Sequence, residues 1–202
     1  PLEEVTIAEA LKPAGYRSAS VGKWHACWEK EFYPEHQGFD VNVAGSSFGA
    51  PASYYGMKNY GHGQKRRSFN AVPHLEKYHG TETCLTEALT IEAKVRVSEA
   101  VDADKPFYLY MSHYAVHAPW EKDDRFYQAY LDAGLKPFEA TLASMIEGMD
   151  KSLGDLMAAV KRLGVEQNTI VLFMSDNGSP SQCPRNLPLR GHKLTPYEGG
   201  IR

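Results

Sequence analysis

The sequence predicts an α/β fold with a mainly parallel sheet and helices on both faces. Three observations carry that expectation. Phe107-Tyr108-Leu109-Tyr110-Met111 and Thr169-Ile170-Val171-Leu172-Phe173-Met174 are short, continuous apolar runs of the kind that form strands buried on both faces. Two long segments carry apolar residues at helical spacing, Leu85, Leu89, Ala93 and Val97, then Leu142, Met145, Ile146, Met149, Leu153, Leu156, Met157 and Val160. Strand and helix segments alternate, which requires crossover connections and hence parallel pairing.

Each element follows from local chemistry. Thr6-Ile7-Ala8-Glu9 has the capping-box pattern, so a short helix starts there and stops near Gly15. Ser18 to Gly22 reads as a strand. Residues 26 to 80 have little periodicity and are rich in Gly, Ser, Tyr, His and Pro; a stretch this long inside a compact domain is usually functional. A helix begins at Thr83 and has ended before Pro106. Another is expected from Asp123 to Ala133. The longest runs from Phe138 to Leu163 and is stopped by Gly164.

Composition bounds the function. The chain has 202 residues, 22 Lys plus Arg, 25 Asp plus Glu and a net charge of −3, which excludes a broadly basic nucleic-acid binder. No apolar run approaches the ~20 residues of a membrane span. Pro1-Leu2-Glu3-Glu4 does not have the form of a signal peptide, and a start at proline is expected of a fragment or processed product. Cys27, Cys84 and Cys183 are too few and too scattered for a disulfide scaffold and are expected as small buried apolar residues, one disulfide remaining possible.

Ligands of open α/β sheets bind at the carboxyl ends of the strands. There this sequence places Gly22-Lys23-Trp24-His25, Ser112-His113-Tyr114-Ala115-Val116-His117 and Ser175-Asp176-Asn177-Gly178; Arg190-Gly191-His192-Lys193 and Tyr197-Glu198-Gly199-Gly200 follow. Each has a bland alternative. Lys23 and His25 would point to one side of a strand, or simply be an exposed strand end. His113 and His117 are four apart, but Pro119 argues for a turn rather than a helical metal pair, leaving one active and one structural histidine. Asp176-Asn177-Gly178 could be only a turn. As ligands, a carboxylate and an amide oxygen suit a hard cation such as calcium or magnesium. Gly191, Gly199 and Gly200 could be loop glycines.

Taken together, these segments resemble the sulfatase family. Thr6 to His25, ending in Gly-Lys-Trp-His, is similar to its second signature. His36-Gln37-Gly38-Phe39-Asp40 resembles its next short motif, Pro106 to Pro119 its central strand and histidine turn, and Met145 to Gly154 its long helix. Asn168 to Gly178 and Leu189 to Arg202 complete the series in the family's order. The resemblance implies an alkaline-phosphatase-like α/β sandwich and hydrolysis of sulfate monoesters, on a sulfated small molecule or glycan. It implies that Asp176 and Asn177 bind Ca2+ and that Lys23 and Lys193 hold sulfate oxygens. His25 would assist a covalent intermediate, and His117 would serve the leaving oxygen. Ser46 or Ser47 would contact sulfate. Export to the periplasm or medium is a further implication, with no nucleic-acid partner.

One departure bears on catalysis. The family's formylglycine comes from a cysteine in Cys-x-Pro-x-Arg, and none of Cys27, Cys84 and Cys183 stands in that motif. The paired aspartates of the family's first strand are also missing. Truncation of one sulfatase catalytic domain at both ends is the expectation, with these 202 residues alone hydrolysing no sulfate ester. A phosphodiesterase or phosphonate hydrolase of the same superfamily, or a non-catalytic fragment that binds a sulfated ligand, are the alternatives.

Overall fold

The computed structural model describes residues 3–65, 68–182 and 186–201. They form two compact units, residues 1–166 and 167–202. Cys183 and Arg202 lie outside the described residues.

The first unit is built on a sheet of three parallel strands, β1 (Arg17–Gly22), β2 (Val41–Val43) and β3 (Phe107–Ser112), in the order β2-β1-β3. Ala19 lies opposite Val41 and Leu109, and Val21 opposite Val43 and Met111, so these small and branched residues share one face. On that face packs α2 (Leu85–Asp102), with Leu85, Leu89, Ala93 and Val97 all buried as the spacing predicts. The opposite face carries aromatic rings: Phe39 stacks on Tyr108, and Trp24 meets Phe39 edge-on. β2 lies inside the segment that showed no periodicity, because three residues are too few to display an alternation.

The first helix, α1 (Ile7–Leu11), has the capping box its sequence promises. The Glu9 N–H donates to Thr6 Oγ1 at 3.1 Å and the Thr6 N–H to Glu9 Oε2 at 2.8 Å. The Thr6 hydroxyl also donates to the Gln37 carbonyl at 2.8 Å, and the Ser18 N–H donates to Asp40 at 2.9 Å. The Gln37-to-Asp40 motif is therefore a clasp that ties the approach to β2 onto α1 and β1.

The long helix α4 (Pro137–Arg162) packs on α2 and on α3 (Tyr127–Asp132). Its buried face differs from the apolar stripe. Ile146 and Met157 are 52% and 44% exposed, while Ser144, Gly148 and Ser152 are buried. The small residues allow close approach: Thr90 Oγ1 donates to Ser152 Oγ at 2.6 Å, and the carboxylate of Asp123 lies over Gly148. α3 is shorter than the expected Asp123–Ala133, because Asp123 is engaged otherwise. Its carboxylate accepts from Nε and Nη2 of the Arg125 guanidinium, at 2.9 and 2.6 Å, and its N–H donates to Ser144. The Asp123 carbonyl closes a turn onto Phe126 and Tyr127.

The second unit corrects one expectation. Thr169–Met174 is not a strand. Ile170, Leu172, Phe173 and Met174 are 73–89% exposed, and the segment belongs to no ladder among the described residues. A buried strand needs a paired neighbour, and no other described segment of this unit is a strand. The unit ends in α5 (Glu198–Ile201).

Cys27 and Cys84 are both free. Both are half-buried instead of fully buried as expected. Cys84 packs against the core, and burial pushes its thiol up to about 12. The Cys27 thiol donates to the exposed Glu29 carboxylate at 2.6 Å, which holds that carboxyl below its usual range.

Candidate functional site

In the first unit the carboxyl ends of all three strands are stitched together. β1 stops at Gly22, so Lys23 and His25 do not share a pleated face as two strand residues would. The chain turns instead, through Gly22 at φ 111° and His25 at φ 55°. A β-carbon at Gly22 would collide with the Ser112 carbonyl oxygen, the same atom that accepts the Lys23 N–H at 2.7 Å. The His25 N–H donates to the Ser46 carbonyl at 2.9 Å. The ring of His25 lies against Gly49, where a β-carbon would sit 2.6 Å from Cε1. Lys23 is half-buried and His25 exposed.

After β2 come Ser46, half-buried, and Ser47, 7% exposed. The Ser46 hydroxyl accepts the Phe48 N–H at 3.3 Å. Sequence reasoning overlooked Tyr114, which locks β2 to β3. Its hydroxyl donates to the Ala44 carbonyl at 2.8 Å and also bonds the Ser46 side chain; burial holds its pKa well above the ordinary tyrosine value. The signal was a tyrosine between two histidines, a position read only for its histidines. Tyr54 was overlooked too, and its hydroxyl donates to the His117 carbonyl at 2.9 Å.

The two histidines after β3 have different surroundings. His117 has its N–H on the Tyr114 carbonyl and its Nδ1 at 2.9 Å from the Ala118 carbonyl. A carbonyl can only accept, so that contact makes Nδ1 the protonated nitrogen of the neutral ring. His113 follows β3 directly. Its Nδ1 is buried without a hydrogen-bond partner, and burial pushes its pKa down to about 4 from 6.5. His113 is therefore neutral at neutral pH. Its contribution to stability is complete above about pH 6.5 and is lost as pH falls through 4. The folded state is expected to lose about 3 kcal/mol on this account across that interval. Urea titrations at pH 7 and pH 4 check this: the pH-dependent loss should shrink by that amount in His113→Phe and stay unchanged if His113 does not titrate.

The second unit holds the remaining candidates. Asp176 is exposed and Asn177 half-buried; they lie in a bend, with the Ser175 hydroxyl on the Asn177 carbonyl at 2.7 Å. The Gly178 N–H donates to the Gly200 carbonyl, and the Lys193 N–H to the Ser179 carbonyl at 2.9 Å. Asn186 holds these loops. Its amide donates to the carbonyls of Gly191 and Gly199, at 2.9 and 2.7 Å, and its Oδ1 accepts the Ser179 N–H. A β-carbon at Gly178 would collide with the Gly199 carbonyl oxygen, so these are close-packing glycines, not loop filler. The sequence around Asn186 reads as an ordinary turn and gave no sign of this role.

Asp176 and Asn177 supply the type of oxygen a hard divalent cation takes. They do not supply the number. No group of three or more His, Cys, Asp or Glu side chains able to hold a metal occurs among the described residues. Nor is any helix among them long and apolar enough to cross a membrane.

Comparison with known proteins bears on this geometry. The mouse protein "Arylsulfatase J" is 30% identical over 204 residues, covering 100% of this chain and 34% of its own length. The human "N-acetylgalactosamine-6-sulfatase" is 31% identical over 228 residues, covering 100% and 39%. The chain thus spans between a third and two fifths of these relatives. The crystal structure of Ps i-CgsB in complex with k-i-k-neocarrahexaose superposes with a TM-score of 0.83 at 28% identity, over 100% of this chain and 46% of that one. The PsFucS1 sulfatase from Pseudoalteromonas sp. shares the fold, with a TM-score of 0.70. The Sulfatase family model matches residues 1–202, and with strand ends built as described above, this chain belongs to the sulfatase family.

Proposed function

We propose that the protein containing these residues hydrolyses sulfate monoesters of a carbohydrate. One observation carries the reading within the first unit: Lys23, His25, Ser46 and His117 all stand just beyond carboxyl ends of the parallel strands, on segments joined by direct hydrogen bonds. Sulfate ester hydrolysis places growing negative charge on the ester oxygen as it leaves. Lys23 is a cationic donor for sulfate oxygens, and the family resemblance gives Lys193 the same chemistry. Ser46 and Ser47 offer neutral donors. His117, its Nδ1–H held by the Ala118 carbonyl, acts as the imidazolium: it delivers the Nε2 proton to the leaving oxygen, releasing an alcohol and leaving the neutral Nδ1–H ring. His25 assists the covalent intermediate. The family's formylglycine, when present, supplies the nucleophile for that intermediate.

The family implies a divalent metal. Ca2+ is the ion we assign, with Asp176 and Asn177 as two of its oxygen ligands. Calcium takes six to eight. The 202-residue chain alone is therefore expected to bind it weakly, with Kd on the order of 10⁻³ M. Calorimetric titration checks this. Tight one-to-one binding that disappears in Asp176→Ala would contradict it.

A phosphodiesterase uses similar anion chemistry. Full-length protein offered an aryl sulfate and an aryl phosphodiester distinguishes the two readings. Faster sulfate release supports this one; preferential diester cleavage would replace it.

A further inference from the structure

Three aromatic rings gather beside His25 with no role in the chemistry above. Trp28 meets Phe48 edge-on, with centroids 4.6 Å apart at 89°. Phe48 meets Phe69 at 5.4 Å and 54°. Trp28 is 67% exposed and Phe69 66%. Large rings left this open cost hydrophobic free energy, and an exposed cluster of them marks a binding surface more often than chance.

Their position is fixed relative to the candidate site. Trp28 is three residues beyond His25. Phe48 follows Ser46 and Ser47 and precedes Gly49, the residue on which the His25 ring lies. The His25–Ser46 backbone bond holds the two loops in register, and the Phe48 N–H on the Ser46 hydroxyl closes a turn within the second. The platform is thus continuous with residues assigned to sulfate. Its edge-on packing leaves ring faces open instead of stacking them on one another. Its neighbours along the chain are polar: Glu29 and Lys30 follow Trp28, and Ser46 and Ser47 precede Phe48. Two exposed rings, Trp28 and Phe69, set at angles around Phe48, match a pyranose, whose C–H bonds lie over aromatic faces while its hydroxyl and sulfate groups reach outward. The cluster is too small for an apolar protein surface.

We propose that Trp28, Phe48 and Phe69 form a stacking platform for a non-reacting sugar ring of a sulfated oligosaccharide, adjacent to the sulfate site at His25. The proposal rests on the sulfatase reading for the identity of the neighbouring site, and the experiment separates the two. Full-length wild type, Trp28→Ala, Phe69→Ala and Trp28→Phe are compared on a carrageenan hexasaccharide and on an aryl sulfate. The ratio of kcat/KM for hexasaccharide over aryl sulfate should fall about tenfold in each alanine variant, through KM, and recover in Trp28→Phe. An unchanged ratio, or equal loss on both substrates, would overturn the platform. Electrophoresis through a gel containing carrageenan adds a readout independent of turnover. Wild type should be retarded and Trp28→Ala released, even if no sulfate ester is cleaved and the sulfatase reading fails. Wild type that is not retarded would overturn the proposal, whether because the rings are covered by another part of the protein or because they bind no sugar.

Discussion

Gly22→Ala is expected to destabilise the protein by about 3–5 kcal/mol, a large part of the stability of an ordinary domain. Two causes add. At φ 111° the backbone is in a region that L side chains rarely enter, which costs on the order of 1–3 kcal/mol. The new methyl group would also strike the Ser112 carbonyl oxygen, and overpacking of this kind costs a further ~1–3 kcal/mol. Relief requires β1 and β3 to part at their carboxyl ends, which would break the Lys23 N–H bond to Ser112. Gly15 is the control: its φ is 81°, but nothing lies within 4 Å of where its β-carbon would stand. Gly15→Ala should lose only the backbone part. Urea midpoints of the two variants check this; equal midpoints would show that the close approach at Gly22 carries no energy.

His117→Ala is expected to separate substrates by their leaving groups. A sugar alkoxide is a poor leaving group and needs a proton as the ester bond breaks. General acid catalysis contributes roughly 10²–10⁴-fold in such reactions. A nitrophenolate leaves without help. The variant of the full-length protein should therefore lose roughly 10²–10⁴ in kcat on a sugar sulfate and no more than about tenfold on nitrophenyl sulfate. Equal losses on both would assign His117 to binding instead. Tyr54→Phe, which removes the hydroxyl on the His117 carbonyl, should show a weaker version of the same split.

Much of this was legible in the sequence, for identifiable reasons. The capping box of α1, the strand ending at Gly22, the strand begun at Phe107 and the four-residue repeat of α2 are local signals, and each survives in the fold. β2 was not legible, because its identity comes from lying in register beside β1 and not from three residues of its own. Ile170 to Met174 misled for the opposite reason: composition gives strand propensity, whereas pairing requires a neighbour. The α4 stripe was read by hydrophobicity, but the helix seats itself through Ser144, Gly148 and Ser152, where size decides. In the site, the charged and imidazole residues were visible. The groups that hold them, Tyr114, Tyr54 and Asn186, were not, because a hydroxyl or amide aimed at a distant carbonyl leaves no pattern along the chain.

The claim that this chain carries the sulfate-binding end of a sulfatase is tested most directly at Lys23. Inorganic sulfate released from a sulfated oligosaccharide should be measured for the full-length protein and for Lys23→Ala, with circular dichroism to establish that both are folded. Removing one preorganised charge donor costs about 10²–10³ in rate. The account predicts sulfate release by the wild type and a loss of that size in the folded variant. No sulfate release by the wild type, or undiminished release by Lys23→Ala, would contradict it.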